Sequence, residues 1–173
     1  MSYAYISIGS NIHPAENILQ SLRLLIIQVE ITNISMVYLT EAIDRPNQPN
    51  YYNLVIEIET DINPFELKQE VLRQIETGLG RERTLDKYAP RTIDLDLILY
   101  ADLVIESDAL TIPDPQIITR PFIAIPLSEL APELVVPKYN VTVKELADKL
   151  KDNSMQLLAD YTALLRKEFL LHD

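Results

Sequence analysis

Apolar residues recur along the chain with two different periods, and the switches between them outline the fold. Tyr3 to Gly9 is an apolar, β-rich run that ends in the turn Gly9-Ser10-Asn11, with Pro14 where a helix can begin. From Ala15 to Val29 the apolar positions Ile18, Leu19, Leu22, Leu25, Ile26 and Val29 fall three and four apart, the stripe of an amphipathic helix that covers a sheet. Ile31 to Thr40 and Tyr51 to Thr60 are β-branched and aromatic, and Val55-Ile56-Glu57-Ile58-Glu59 alternates as a half-buried strand does. Between them, Glu41 to Asn50 carries Pro46 and Pro49 and is too long for a tight hairpin, which makes it a candidate binding loop.

A second helix is predicted from Asn63-Pro64 to about Thr77, with Phe65, Leu67, Val71, Leu72 and Ile75 as its buried set and Gly78 near its end. Arg81 to Arg91 has no apolar period and reads as a mobile loop, and Ile93 to Tyr100 reads as the fourth strand. Farther on, Leu103 to Ile112 suggests two short strands, and Phe122 to Leu130, Val143 to Leu150 and Met155 to Leu170 suggest helices. The order βαββαβ matches an α+β ferredoxin-like sandwich with an antiparallel sheet, elaborated by extra short strands and C-terminal helices. One domain over residues 1–173 is expected, with a core at 1–137 and a helical extension at 138–173.

Composition narrows the chemistry. With 15 basic and 26 acidic residues the net charge is -11, which argues against a sequence-independent grip on a nucleic acid backbone, so any anionic ligand must be held locally. The chain has no cysteine, which excludes disulfides, thiolate metal sites and cysteine nucleophiles and fits a reduced cytoplasm. No signal-like start or membrane-length apolar run is present, so a soluble, untargeted protein is expected. The two histidines, His13 in a turn and His172 at the terminus, give a histidine-based mechanism little support. With only three glycines there is no Gly-rich phosphate loop.

The most informative segment is Lys87-Tyr88-Ala89-Pro90-Arg91-Thr92-Ile93-Asp94-Leu95-Asp96-Leu97-Ile98. In an extended strand Asp94 and Asp96 project from one face, with α-carbons roughly 7 Å apart, while Ile93, Leu95, Leu97 and Leu99 project from the other. Two carboxylates so placed can converge on one divalent cation or bridge two. Magnesium is favoured because it takes one or two carboxylates together with substrate phosphates; calcium, or the exposed face of an edge strand, remain open readings. Arg81, Arg83, Lys87 and Arg91 gather four cations just before this strand, suited to phosphate oxygens in an otherwise acidic chain. Asn53 could bond a heterocycle or lie on a solvated face.

These residues, with Ala4-Tyr5-Ile6, Gly9-Ser10-Asn11, Gln48-Pro49, Tyr51, Asn53, Gly80-Arg81 and Arg120-Pro121-Phe122 followed by Pro126-Leu127 and Leu130-Ala131-Pro132-Glu133-Leu134, give the chain from about Tyr3 to Pro137 a pattern that resembles the 6-hydroxymethyl-7,8-dihydropterin pyrophosphokinase family of folate biosynthesis. The resemblance implies transfer of the two terminal phosphates of ATP to the pterin hydroxymethyl oxygen, with release of AMP. It implies two magnesium ions on Asp94 and Asp96, and Arg81, Arg83 and Arg91 at the phosphates or closing the loop. Lys87 and Tyr88 would belong to that closing loop, and Glu76, Asp114 and Arg120 would lie at the nucleotide. Tyr51 and Phe122 would sandwich the pterin, whose edge Asn53 and the backbone near Thr40 and Ile43 would read.

The chain departs from the family pattern at Asp114, where a histidine that contacts the nucleotide is common. A carboxylate there is expected to weaken ATP binding unless another contact compensates. Ala42 stands for a proline, Lys87 for an arginine and Tyr88 for a tryptophan. Two other functions share these features: a magnesium-dependent nucleotidyltransferase, which would release pyrophosphate, and a pterin- or nucleotide-binding module without turnover. Protein partners are not implied.

Overall fold

A computed structural model describes residues 1–170 of the chain; His172 lies outside them. The strands β1 (Ser2–Ser10), β2 (Glu30–Ile34), β3 (Tyr38–Thr40), β4 (Tyr51–Thr60) and β5 (Asp94–Tyr100) build one sheet, in which β5, β1, β4 and β3 lie side by side and β2 also pairs with β4. Every pairing is antiparallel, and the elements follow one another as βαβββαβ, the expected βαββαβ plan with its second strand in two pieces. Helix α1 (Pro14–Leu25) follows β1. After β4 the chain coils through α2 (Pro64–Glu66), a π-helical stretch Leu67–Leu72 and α3 (Arg73–Gly78). Asn63 caps this helical run by accepting from the backbone of Glu66, and Pro64 fills the first helical position, where a missing N–H is harmless.

After β5 come two small hairpins, β6 (Ile105–Glu106) with β7 (Thr111–Ile112) and β8 (Val135–Val136) with β9 (Val141–Thr142). Between them lie a 3₁₀ turn, Pro115–Ile118, and α4 (Pro121–Leu130). Helix α5 (Val143–Lys149) opens on a capping box of Thr142 and Glu145; β10 (Gln156–Leu157) and α6 (Ala159–Phe169) close the described chain. No helix among the described residues is long and apolar enough to cross a membrane.

The period-two alternation of the central strands divides the core. Ala4, Ile6 and Ile8 of β1 and Leu54, Ile56 and Ile58 of β4 face α1, α3 and α6, where Ile18, Leu22, Ile75, Leu165 and Phe169 complete one buried cluster. On the other face Tyr5, Val55 and Ile98 pack against Ile117, Ile123, Leu127 and Leu146. That second layer covers only part of its face, and the rest, at the Gly9 end of β1, is where the site forms.

Several expectations change against the structure. Leu99 does not share a face with Leu95 and Leu97: Ile6 pairs with Leu97 and Tyr5 with Leu99, so Ile98 is an extra residue, and the resulting bulge turns Leu99 into the second cluster. The segment Ile31 to Thr40 is two strands, because the hydroxyl of Ser35 takes the backbone N–H of Val55 at 2.9 Å and interrupts the ladder. The expected helix from Met155 begins instead as β10, which pairs with β3, and turns helical only at Ala159. Helix α1 ends at Leu25, which leaves Ile26 43% exposed, and Phe65, on the first turn of its helix, is also 43% exposed rather than buried.

Candidate active site

Register fixes the floor of the site. Across β5, β1 and β4, Asp94 stands opposite Gly9 and Gly9 opposite Asn53; Asp96 stands opposite Ser7 and Ser7 opposite Val55. Directly opposed residues share a face, so the two carboxylates and Asn53 look onto the same side with only glycine and serine between them. Tyr51, two residues before Asn53, stands on that face too. A cavity of about 300 Å³ rises from this floor, lined by Tyr51, Asn53 and Phe122 with the loop from Thr40 to Ile43, and by Asp94, Asp96, Lys87, Tyr88, Arg91 and Arg120. Ser7, Gln48 and Gln116 line it as well.

Asn53 is buried and donates its amide to the hydroxyl of Thr40 at 2.7 Å. A β-carbon at position 9 would lie 2.8 Å from the Asn53 side-chain oxygen, a distance real Cβ contacts do not reach. Gly9→Ala is therefore expected to displace Asn53 and raise the KM for the ring-bearing substrate by about tenfold, the cost of misplacing one buried hydrogen bond, with a stability loss of about 1–3 kcal/mol from overpacking. Steady-state kinetics and a urea melt check both; an unchanged KM would mean that Asn53 does not read the substrate.

Asp94 is neutralised from two sides: Arg81 donates to its Oδ1 at 2.7 Å and Arg91 to its Oδ2 at 2.5 Å. Behind it, Glu76 is buried and accepts from Arg81 at 2.6 Å, from Arg83 at 2.6 Å and from the backbone N–H of Leu95 at 2.8 Å. Burial raises the pKa of Glu76, against the pull of Leu95, Arg81 and Arg83. Burial opposes the charge of Arg81 too, but Asp94 and Glu76 outweigh it and hold its pKa above the ordinary value. Asp96 has no hydrogen-bond partner among the described residues. Its pKa is raised well above the usual carboxylate range by burial, and then by the charges of Asp94, Asp114 and Glu76.

Asn11 and Gln48 join the two irregular loops that flank the cavity. The Asn11 side-chain oxygen accepts from the backbone of Arg91 at 2.8 Å, and its amide donates to Gln48 and to the carbonyl of Pro49, both at 3.2 Å. Gln48 in turn donates to the carbonyl of Tyr88 at 2.7 Å, and Arg45 pairs with Asp86 at 3.1 Å. The turn Gly9-Ser10-Asn11 thus spends its amide on the loops. The functional signal that sequence reading missed is Ser7, which the same period-two rule places beside Gly9; Gln116 carries no such signal, because only the 3₁₀ turn brings it to the cavity.

The residues expected at the pterin and in the closing loop thus gather on one cavity. Arg81, Arg83 and Glu76 stand behind Asp94 and do not line it. Asp114 lies instead on a second cavity of about 210 Å³, and Asp96 lines both. Asp114 starts the 3₁₀ turn, where its Oδ1 accepts from the backbone of Gln116 at 2.9 Å. Among the described residues no three or more His, Cys, Asp or Glu side chains cluster as metal ligands, so a cation here would have two protein carboxylates and would complete its shell from ligand and water.

Known proteins with this pattern agree with it. The family model for 7,8-dihydro-6-hydroxymethylpterin-pyrophosphokinase matches residues 5–132. A 2-amino-4-hydroxy-6-hydroxymethyldihydropteridine pyrophosphokinase of Synechocystis is 39% identical over 150 residues, 85% of this chain and 75% of its own length. Its counterpart in Haemophilus influenzae is 35% identical over 158 residues, 90% of this chain and 97% of its own. The crystal structure of wild-type Plasmodium falciparum HPPK-DHPS with pteroate superposes with a TM-score of 0.71 at 15% identity, over 90% of this chain. At that identity the likeness concerns the fold, and the present chain spans 47% of the larger Plasmodium chain. With a family match over most of its length and curated relatives above 30% identity on either side of it, the chain belongs to the 7,8-dihydro-6-hydroxymethylpterin-pyrophosphokinase family.

Proposed function

We infer that the protein transfers the terminal two phosphates of ATP, as one pyrophosphoryl group, to the hydroxymethyl oxygen of 6-hydroxymethyl-7,8-dihydropterin, releasing AMP in a step of folate biosynthesis. The observation that carries this reading is a single cavity with an aromatic and amide end, Tyr51, Phe122 and Asn53, that opens directly onto Asp94, Asp96 and Arg91. A planar ring held at the first end brings its hydroxymethyl arm to the second, which supplies most of what phosphoryl transfer needs, namely position and charge balance. The alcohol oxygen bonds to the β-phosphorus as the bond from that phosphorus to the α,β-bridging oxygen breaks; the bond electrons leave with AMP, and the hydroxyl proton is released to solvent.

Tyr51 and Phe122 are proposed as the walls that bind the ring by stacking, with Asn53, held by Thr40, and the backbone near Ile43 selecting its polar edge. Arg91 exchanges part of its hold on Asp94 for phosphate oxygens while Arg81 keeps Asp94 in place from behind, and Arg83, Lys87 and Arg120 add positive charge around the tail. The ligand set fits magnesium: the Asp96 carboxylate has no protein donor and lies beside Asp94 and among other acids, so a divalent cation there would offset the charge that opposes its ionisation. Two magnesium ions on Asp94 and Asp96 would neutralise phosphate charge and polarise the oxygens at the transferred phosphorus. Because Asp96 lines both cavities, the second is proposed to hold the nucleoside end of ATP, with Asp114 on its wall.

A reaction containing ATP, magnesium and 6-hydroxymethyl-7,8-dihydropterin tests the reading. AMP and the pterin diphosphate are expected in equal amounts. Release of pyrophosphate would favour nucleotidyl transfer, and binding of both ligands without product would leave a binding module.

A further inference from the structure

Granted the ATP-dependent transfer inferred above, we propose that Asp114 recognises a ribose hydroxyl of the nucleotide and makes the enzyme prefer ribonucleotides to their deoxy counterparts. The cavity it lines shares Asp96 with the transfer site and is lined elsewhere by Lys68, Leu97, Asp108, Leu110 and Thr111. With about 210 Å³ it has room for a nucleoside. The phosphate tail therefore enters from the Asp96 end.

The backbone N–H of Asp114 donates to the carbonyl of Ile98 at 2.9 Å, two residues along β5 from Asp96, and both carboxylates line this cavity, so Asp114 stands at its phosphate end. One of its oxygens is committed to the backbone of Gln116, and the other has no hydrogen-bond partner among the described residues. Lys68, on the same wall, already donates to the carbonyl of Ala109 at 2.7 Å. An ionised carboxylate only accepts hydrogen bonds. Phosphate oxygens and the ring nitrogens of adenine are acceptors too, and offer it nothing. The donors of ATP are the ribose hydroxyls, next to the phosphates, and the exocyclic amine, at the opposite extremity of the base. Position selects the hydroxyls. The same bond explains how an acidic residue is tolerated beside a polyanion: it is satisfied by the sugar rather than exposed to the phosphates.

The test compares kcat/KM for ATP, 2′-deoxy-ATP and 3′-deoxy-ATP in the wild type and in Asp114→Ser, whose hydroxyl still caps the 3₁₀ turn. The wild type is expected to favour ATP over at least one deoxy analogue by about tenfold or more, as a site built to bond a hydroxyl does, and Asp114→Ser to shrink that preference to about twofold or less. The KM for the pterin stays where it was. A preference that survives in Asp114→Ser overturns the assignment, and so does a wild type indifferent to the sugar, a result that needs no variant. Release of its own nucleoside monophosphate from every nucleotide separates that failure from failure of the transfer reading itself, in which no nucleotide gives its monophosphate.

Discussion

Asp96→Asn is expected to lower kcat/KM by about 10³-fold or more while the ligand-free protein melts no lower than the wild type. The two halves of this result come from the same feature. Asp96 has no protein donor, and it sits among Asp94, Asp114 and Glu76, so in the ligand-free fold its charge is opposed rather than satisfied. The charge is useful only toward a cation with its phosphates, where it is worth several kcal/mol of transition-state stabilisation. Its folded-state pKa lies above that of the unfolded chain, so between the two values the folded state holds more protons, and stability falls as pH rises from the ordinary carboxylate value through the raised one. The asparagine variant lacks that loss. Melting temperatures across acid to neutral pH in a chelating buffer, paired with turnover assays, read both effects. A variant that melts well below the wild type at neutral pH, or one that turns over normally, would show that Asp96 serves the fold instead of the reaction.

How much of this was readable beforehand depends on how local the cause is. Period-two alternation in a single strand suffices to put Asp94 and Asp96 on one face, and the apolar spacing of Ile18, Leu22 and Leu25 suffices to orient α1. The residues opposite them are a matter of register, which depends on pairing between distant segments; the juxtaposition of Gly9 with both Asp94 and Asn53 is visible only in the folded sheet. The bulge at Ile98 is invisible for the same reason, since every residue from Leu95 to Tyr100 suits a strand and nothing local marks which one goes unpaired. Asn11 and Gln48 belong to the motifs that carry the family resemblance, but their task of knitting two loops together spans 80 and 40 positions of chain.

Glu76 illustrates the same limit and carries the largest expected effect on stability. Its place in the sequence, on a helix face with the buried Leu72 and Ile75, gives no hint that the carboxylate is the hub beneath Asp94. Glu76→Ala removes the acceptor of the Leu95 N–H and one of two partners of Arg81, whose side chain is only 11% exposed, and so strands a buried donor and leaves the Arg81 cation with Asp94 alone. Loss of the sole partner of a buried ion costs about 3–5 kcal/mol, and because Asp94 still faces Arg81 the low end, about 3 kcal/mol, sets the expectation for the urea midpoint. The bond to Arg83 adds little, because that side chain is 54% exposed and its charge is screened. Glu76→Gln restores an acceptor for Leu95 but no charge for Arg81, and is expected to recover about 1–3 kcal/mol of the loss. Turnover should fall in both variants, since an Arg81 released from Glu76 no longer holds Asp94 in place. Equal urea midpoints for wild type and Glu76→Ala, with turnover lost, would instead put Glu76 in contact with the nucleotide and take it out of the supporting framework.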